Sequence, residues 1–482
     1  MKSIINQSFL KILLCIIGWV TIISCRKFIE VDPPVTRVTE ASAYATDASA
    51  IGVMTSVYTK ISYASSGSIG FSTMSGSIVG LSSDEFTLWS GITNTDMLET
   101  YTNSLSSANG SGAQIWYDCY QYLYTCNSAI EGLSETETLT ARVKKQLLGE
   151  AKFMRAYFNF YLVNYFGDVP LILTSDYRTN ASLARTSKTQ IYDQIIKDLQ
   201  DAEDNLSDVF LDGTLVRNTS ERVRPTKWAA AALLARVYLY TSKWSEAESQ
   251  ASNVINQTTV FNLASLNSAF IKNGYEAIWQ LQPVNSGWNT ELARLFIMPS
   301  SGPSSTNPVY LSNNLINSFE SGDQRRFGGI WIDSVKVGST FYYYPAKYKG
   351  LAVATNASPT EYTMILRLGE QYLIRAEARA QQNNLSDAAK DLNKIRNRGG
   401  LADASASTKT EMLKAISKER RAELFSEWGD RWFDLIRTGS VDSVMTVATA
   451  QKGGTWNSKQ QVFPIPRNEI SKNSNLTQND GY

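Results

Sequence analysis

Histidine is missing from all 482 residues. Its absence removes Ser-His-Asp and Cys-His catalysis, and with them every His-ligated zinc site. Cysteine is scarce: Cys15, Cys25, Cys119 and Cys126 are the four, and no CxxC pair occurs. Cys119 and Cys126 fall in a stretch with helical periodicity (115–133), where seven residues separate them by about 10 Å along the axis. That is too far for a disulfide within an unbroken helix, so both are expected to be core-filling thiols. An excess of charge is lacking too. The formal net charge is +1, and removing residues 1–24 takes away Lys2 and Lys11 and no acid, leaving −1. Neither nucleic acid nor an anionic membrane surface has an electrostatic claim on such a chain. The apolar run at 12–23 is too short to cross a bilayer comfortably.

That run has instead the layout of a secretory leader: Lys2 and Lys11 ahead of it, an apolar middle, and the small Ser24 before Cys25. Ile22-Ile23-Ser24-Cys25 resembles the lipobox at which lipoproteins are cut and acylated. Cys25 is therefore the expected lipidation site, since several acyl chains on one residue make a stable anchor. Lys27 to Pro34 reads as a tether stiffened by Pro33 and Pro34.

Apolar residues at three- and four-residue steps then predict helices. Val53, Val57 and Ile61 mark the first; Trp116, Tyr120, Leu123 and Ile130 a second; Ile191, Ile195, Leu199 and Ala202 a fourth ending near Leu206. Between them, Leu147, Ala151, Met154, Phe158, Tyr161, Leu162 and Tyr165 define a long aromatic helix stopped by Gly167 and Pro170. So much aromatic surface needs partners on several sides, which places this helix at the centre of the core. A helix pair follows, WAAAALLARVYLYT and WSEAESQASNVI. It is echoed 141 residues later, where Arg375-Ala376-Glu377 through Ala388 lines up with Leu234-Ala235-Arg236 through Ala247. Small alanines where two antiparallel helices approach are the tetratricopeptide design, a hairpin that must stack on neighbours.

Two stretches break this periodicity. In 65–112, 20 of 48 residues are Ser or Gly, and no helix is expected there. In 262–363, Gly, Ser, Pro and Asn clusters separate strand-like pieces at 278–281, 330–335 and 341–344, with Tyr275, Trp279, Trp288, Phe296, Tyr310, Trp331 and Tyr342 to Tyr344 among them. The fold class read from these features is mainly α, a tetratricopeptide-like hairpin scaffold with an irregular, loop-rich, short-strand insertion. Its expected divisions are a leader (1–24), an N-terminal helical part (25–261) and a C-terminal part (262–482) that includes the insertion.

An enzyme needs a site, and the nearest carboxylate pairs are Asp84-Glu85, Glu419 with Glu423, and Asp430 with Asp434. Nothing in the sequence splits any pair in pKa. Glu419 and Glu423, one turn apart, are expected to pair with Lys418, Arg420 or Arg421 on a helix surface. No catalytic residue, cofactor or metal set is therefore assigned. A sugar site asks only for ring platforms flanked by amides, carboxylates or arginines. Asp84, Trp89 and Asn94 offer that mixture in the first loop region; Trp288, Asn289 and Arg294, joined by Trp331, offer it in the second. Trp116, Trp228, Trp244 and Trp432 sit on helical stripes and are expected to be structural.

Several motifs carry a family resemblance. Gly149-Glu150-Ala151, Arg155-Ala156-Tyr157 and Tyr165 to Pro170 resemble GEAxFxRAxxxFxLxxxxGxVPL; Glu419 to Leu424 with Gly429 to Arg437 resembles ERxxEL…GxRWxDLxR; Phe463-Pro464-Ile465-Pro466 and Gln478 to Tyr482 resemble a PIP…QNPGY ending, with Asp480 in place of proline. In this order they are similar to the SusD/RagB family of Gram-negative surface lipoproteins. The resemblance implies a protein held by lipid on the outer face of the outer membrane. It would bind a nutrient, expected to be an oligosaccharide, and close as a hinged lid over a SusC-like TonB-dependent transporter. Peptide capture, or a structural lid with little affinity of its own, are the other readings left open.

Overall fold

The computed structural model describes residues 40–63, 79–109, 112–353 and 357–482. The leader, Cys25 and the tether lie outside the described residues. Residues 1–43 and 44–482 are separate compact units; of the first, only the turn of helix Glu40–Ala43 is described. No helix among the described residues is long and apolar enough to cross a membrane.

The fold is helical, as the periodicity predicts. Helix α1 (Asp47–Ser62) opens on a Thr46–Ser49 capping box. After strand β1 (Phe86–Leu88) come α2 (Thr95–Thr102), α3 (Ala113–Glu135) and α4 (Ala141–Phe166). α4 is the aromatic helix, buried from Phe153 through Phe166. Its rings meet partners from distant parts of the chain: Tyr157 against Trp279 at 5.6 Å, Tyr165 against Phe433 at 5.1 Å and against Phe463 at 5.6 Å. Gly167 ends it at φ 71°, ψ −127°. α5 (Lys188–Asn205) packs along α4, and the buried Arg155 binds Asp198 across them at 2.6 Å. Cys119 and Cys126 are free and buried on α3.

The two predicted hairpins form as α6 (Lys227–Tyr240) with α7 (Trp244–Ile255), and α9 (Leu368–Gln381) with α10 (Leu385–Arg398). Although 262–363 separates them in sequence, they stack directly, α7 on α9. Arg236 and Glu370 make a buried two-point ion pair between them at 2.6 Å for both contacts. α11 (Lys409–Leu424), α12 (Asp430–Arg437) and α13 (Val441–Gln451) complete the helical body.

The insertion leaves and re-enters through one gate. Strand β2 (Ala277–Leu281) pairs antiparallel with β6 (Thr363–Arg367), so the two ends of the excursion are zipped together. Between them lie α8 (Glu291–Phe296), β3 (Val309–Leu311), and the hairpin β4 (Ile332–Val337) with β5 (Thr340–Pro345). β3 pairs with β1, which stitches the insertion to the first loop region. The change in composition at residue 262 thus falls inside one compact unit rather than between two.

One expectation fails here. Region 65–112 is not free of helix, because α2 forms with Asn94 as its N-cap, the Asn94 side chain accepting from Met97 N at 3.0 Å. Eight residues are too few to show a helical period in the sequence.

Candidate ligand-binding site

The expected site residues divide by burial, and three do not face a ligand. Asp84 is 4 % exposed and lies between two guanidiniums: Arg431 Nε donates to Oδ1 at 2.8 Å and Arg421 Nη2 to Oδ2 at 2.6 Å. Burial alone would raise its pKa, but the Arg431 hydrogen bond and both positive charges overcome that and lower it. Asn289, 2 % exposed, accepts from the backbone N–H of Thr360 at 2.7 Å and of Glu361 at 3.2 Å, bracing the insertion from within. Trp331 is 0 % exposed; its Nε1–H donates to the Leu266 carbonyl at 2.8 Å. Lys347, Arg398 and Arg367 lie over its ring at 4.9, 5.5 and 5.7 Å. It is a core cation–π platform, not a sugar platform. These three corrections share a cause. Sequence shows that a residue can bind, but not that the chain has already supplied its partners.

Glu419 and Glu423 are corrected as well, since both are buried. Arg325 Nη1 reaches Glu419 at 2.7 Å and Glu423 at 3.0 Å, while Arg367 and Arg398 close on Glu423 from other sides. Their partners come from the insertion, β6 and α10 rather than from their own helix surface. The carboxylate pairs do split in pKa, contrary to expectation. Burial, with the Asp84 charge beside it, pushes Glu85 up to about 7. Burial likewise lifts Asp430 to about 8, whereas Arg420 and Arg437 overcome burial to hold Asp434 at about 2. All of these carboxylates but Asp434 are buried, and Glu85, Arg420, Arg421, Arg431 and Asp434 line only a narrow void too small to admit a water molecule. Among the described residues these three pairs therefore offer no open site for glycoside chemistry.

What remains is an outward face built on β1 and β3. Their register sets Phe86 opposite Leu311 and Leu88 opposite Val309, all four buried, so the alternate pair Thr87 and Tyr310 points outward. Tyr310 meets Tyr342 of β5 edge to face at 5.1 Å. Tyr101 of α2 stands on the other side, its hydroxyl hydrogen-bonded to Thr87. Trp89 follows β1 directly. Its N–H donates to the Pro308 carbonyl at 2.7 Å, and its half-buried ring lies over Gly91, where a Cβ would sit 2.4 Å from the ring. Arg294 on α8 reaches the same end of the sheet. Asn307, just before Pro308, donates to the Arg294 and Leu295 carbonyls at 3.0 Å each. The Arg294 guanidinium, one third exposed, pairs with Glu291 at 3.0 Å. Trp288, half-buried, precedes α8 on a loop bridged to Ala352.

The backbones of Trp89 and Arg294 are therefore held at one sheet end through the 307–308 segment, with Trp288 leading into α8. Asn94 is exposed but serves as a helix cap. Tyr101, Tyr310 and Tyr342 belong to the face and were not singled out as a group from sequence. The available signal was strand alternation at 86–88 and 309–311, each only three residues long.

The chain that carries Trp89 is fixed at its root. Besides the two arginines on Asp84, the Lys452 ammonium donates to the Leu81 carbonyl at 2.6 Å and closes on that of Ser83. Among the described residues no cluster of His, Cys, Asp and Glu is arranged to hold a metal ion.

The architecture is a helical-hairpin scaffold that presents an aromatic, polar-rimmed face. The comparisons with known proteins name the class. A model described as "SusD family" matches residues 304–482, and a SusD-like model described as "Starch-binding associating with outer membrane" matches 53–239; together they span about three quarters of the chain. The chain belongs to the SusD/RagB family. A SusD-like protein of Bacteroides ovatus is 26% identical over 408 residues, covering 74% of this chain and 70% of its own. The starch-binding protein SusD of Bacteroides thetaiotaomicron is 33% identical over 138 residues, 28% of this chain and 24% of that one. Among solved structures, a SusD superfamily protein of Bacteroides vulgatus superposes with a TM-score of 0.76 at 22% identity, covering 90% of this chain and 99% of the other. A laminarin-binding SusD-like protein does so at 0.71 and 24%, covering 92% and 99%. At those identities the structures establish the fold.

Proposed function

We propose that this protein captures an oligosaccharide on the face formed by Trp89, Tyr101, Tyr310 and Tyr342, with Trp288 and Arg294 at its margin, and catalyses no reaction. The carrying observation is the outward register of Thr87 and Tyr310, which sets half-buried rings and hydroxyls side by side on a strand pair whose other face is core. Stacked C–H faces and hydroxyl contacts are what such a surface offers a sugar. Relatives described as binding starch, laminarin or other glycans support this reading. In it, Cys25 carries the lipid and the protein faces outward from the outer membrane. It passes the ligand to a SusC-like TonB-dependent transporter, over which it closes as a hinged lid. Ligand bridging both proteins would favour closure only through contacts made in the closed state.

Isothermal titration of the purified protein against panels of neutral glycans and of peptides tests the proposal. A glycan that binds wild type and loses about tenfold or more in affinity on Trp89→Ala, as removal of a stacked ring implies, supports it. A peptide as the sole ligand, or glycan binding indifferent to Trp89, Trp288 and Tyr310, refutes it.

A further inference from the structure

The C-terminal end of α13 touches both walls of the aromatic face. Lys452, its C-cap, is half-buried, and its ammonium is spent on the interior. It donates to the carbonyls of Leu81 at 2.6 Å, Ser82 at 3.3 Å and Ser83, just ahead of β1, and lies over the Tyr101 ring of α2 at 5.2 Å. An ammonium has three N–H donors, so the three carbonyls use all of them. One turn earlier on α13, Thr449 Oγ1 donates to Asn103 Oδ1 at 2.9 Å, and Asn103 Nδ2 donates to the Ser82 carbonyl at 3.0 Å. Asn103 is the C-cap of α2 and follows Tyr101 closely. Just beyond Lys452, a Cβ on Gly454 would meet the Thr102 carbonyl at 2.1 Å, so glycine lets the chain approach the end of α2 this closely. The end of α13 thus ties α2 to the strand that carries Thr87 and Trp89.

The Lys452 ammonium is the part of this tie that can change charge. Burial pushes its pKa down to about 7, with the Asp84 charge acting against burial. Among the described residues, the charged and titratable groups that face it are Asp84, beside the three carbonyls, and Tyr101 on α2. Arg421 and Arg431 keep Asp84 ionised. Glu85 titrates in the same range but is turned to Ser426 N. A neutral amine has one donor fewer and no charge to attract a ring. Tyr101 would then lose a contact that holds it where its hydroxyl meets Thr87, close to Tyr310. We propose that Lys452 is a positioning residue of the aromatic face, whose charge fixes Tyr101 against β1 and thereby sets glycan affinity, a role that presupposes glycan capture on that face.

Isothermal titration of the purified protein with a neutral glycan that it binds, repeated across neutral pH, tests this. Wild-type affinity should fall about threefold as pH rises through the Lys452 pKa, the size of one cation–π contact. Lys452→Met should bind about threefold more weakly than wild type at the acid end, for the same reason, and show no further fall. Glu85→Gln should keep the wild-type profile. A second readout needs no ligand: in NMR spectra of ring-labelled tyrosine, the Tyr101 signal, identified by its loss in Tyr101→Phe, should shift with an inflection at about pH 7 in wild type and none in Lys452→Met. If Lys452→Met does not fold, wild type and Glu85→Gln still decide the matter. Wild-type affinity that is flat across neutral pH, an equal fall in Lys452→Met, or a fall that vanishes in Glu85→Gln overturns the role of Lys452 while glycan capture stands. If no glycan binds wild type at any pH, glycan capture itself fails, and a Tyr101 signal without inflection then overturns the positioning as well.

Discussion

Glu423 shows most clearly how single residues hold this protein together. It is fully buried, and Arg325, Arg367 and Arg398 converge on it. Burial by itself would raise its pKa; the three guanidiniums reverse that and hold the carboxylate ionised. Removing it strands positive charge in the core, so Glu423→Ala should lose about 3–5 kcal/mol of stability, read as a lowered midpoint in urea. A loss within experimental scatter would mean that the arginines have other partners. Glu85 poses a different test. Its folded pKa, about 7 through burial and the Asp84 charge, lies above the ordinary glutamate value of 4.5. The folded state therefore binds more protons than the unfolded state between these values, and stability falls as pH rises through that window. Glu85→Gln cannot ionise and keeps an acceptor for Ser426 N, which now donates to Glu85 at 3.3 Å. The variant should gain on wild type as pH is raised from about 4.5 to about 7, and denaturation series at several pH values would show it.

At the level of elements, the helices were legible because their signals are local. The apolar steps of α4, the alanine-lined α6–α7 hairpin and its echo in α9–α10 lie on contiguous chain, and each formed where the periodicity placed it. Gly167 was read as a stop, and its backbone explains why: φ 71° with ψ −127° is a conformation that side chains disfavour. A Cβ there would have Val462 at 3.7 Å as its nearest neighbour, so crowding plays no part. Gly167→Ala should then cost about 1–3 kcal/mol from backbone strain alone, measurable by thermal unfolding; a neutral result would place the stop in Pro170 instead. What sequence did not disclose was pairing across distance. β1 and β3 lie more than two hundred residues apart and each is three residues long, too short for alternation to register. Trp331 and Asp84 looked available because their partners, Arg367, Arg398, Arg421 and Arg431, come from later segments. Trp89, Trp288 and Arg294, whose surroundings remain partly open, kept their candidacy.

On the scale of the whole molecule, these pairings divide the work between a body and a face. The hairpins, α4 and α11 form the body, and the insertion is clamped to it at three places: the β2–β6 zip, the β1–β3 pair, and the ionic cluster around Glu423. Trp331 belongs to the last clamp and Trp89 to the free side of the second. The two tryptophans should therefore fail in opposite ways. Trp331→Ala removes a fully buried ring and uncovers the cations packed on it, so it should destabilise by about 3–5 kcal/mol; any glycan affinity should survive in the fraction that stays folded. Trp89→Ala removes a half-buried ring at the edge of the sheet and should leave the thermal midpoint nearly unchanged while weakening glycan binding. Measuring midpoint and affinity on both variants separates scaffold from surface. If Trp331→Ala abolished binding with the fold intact, or Trp89→Ala unfolded the chain, the boundary between body and face would have to be redrawn through the insertion itself.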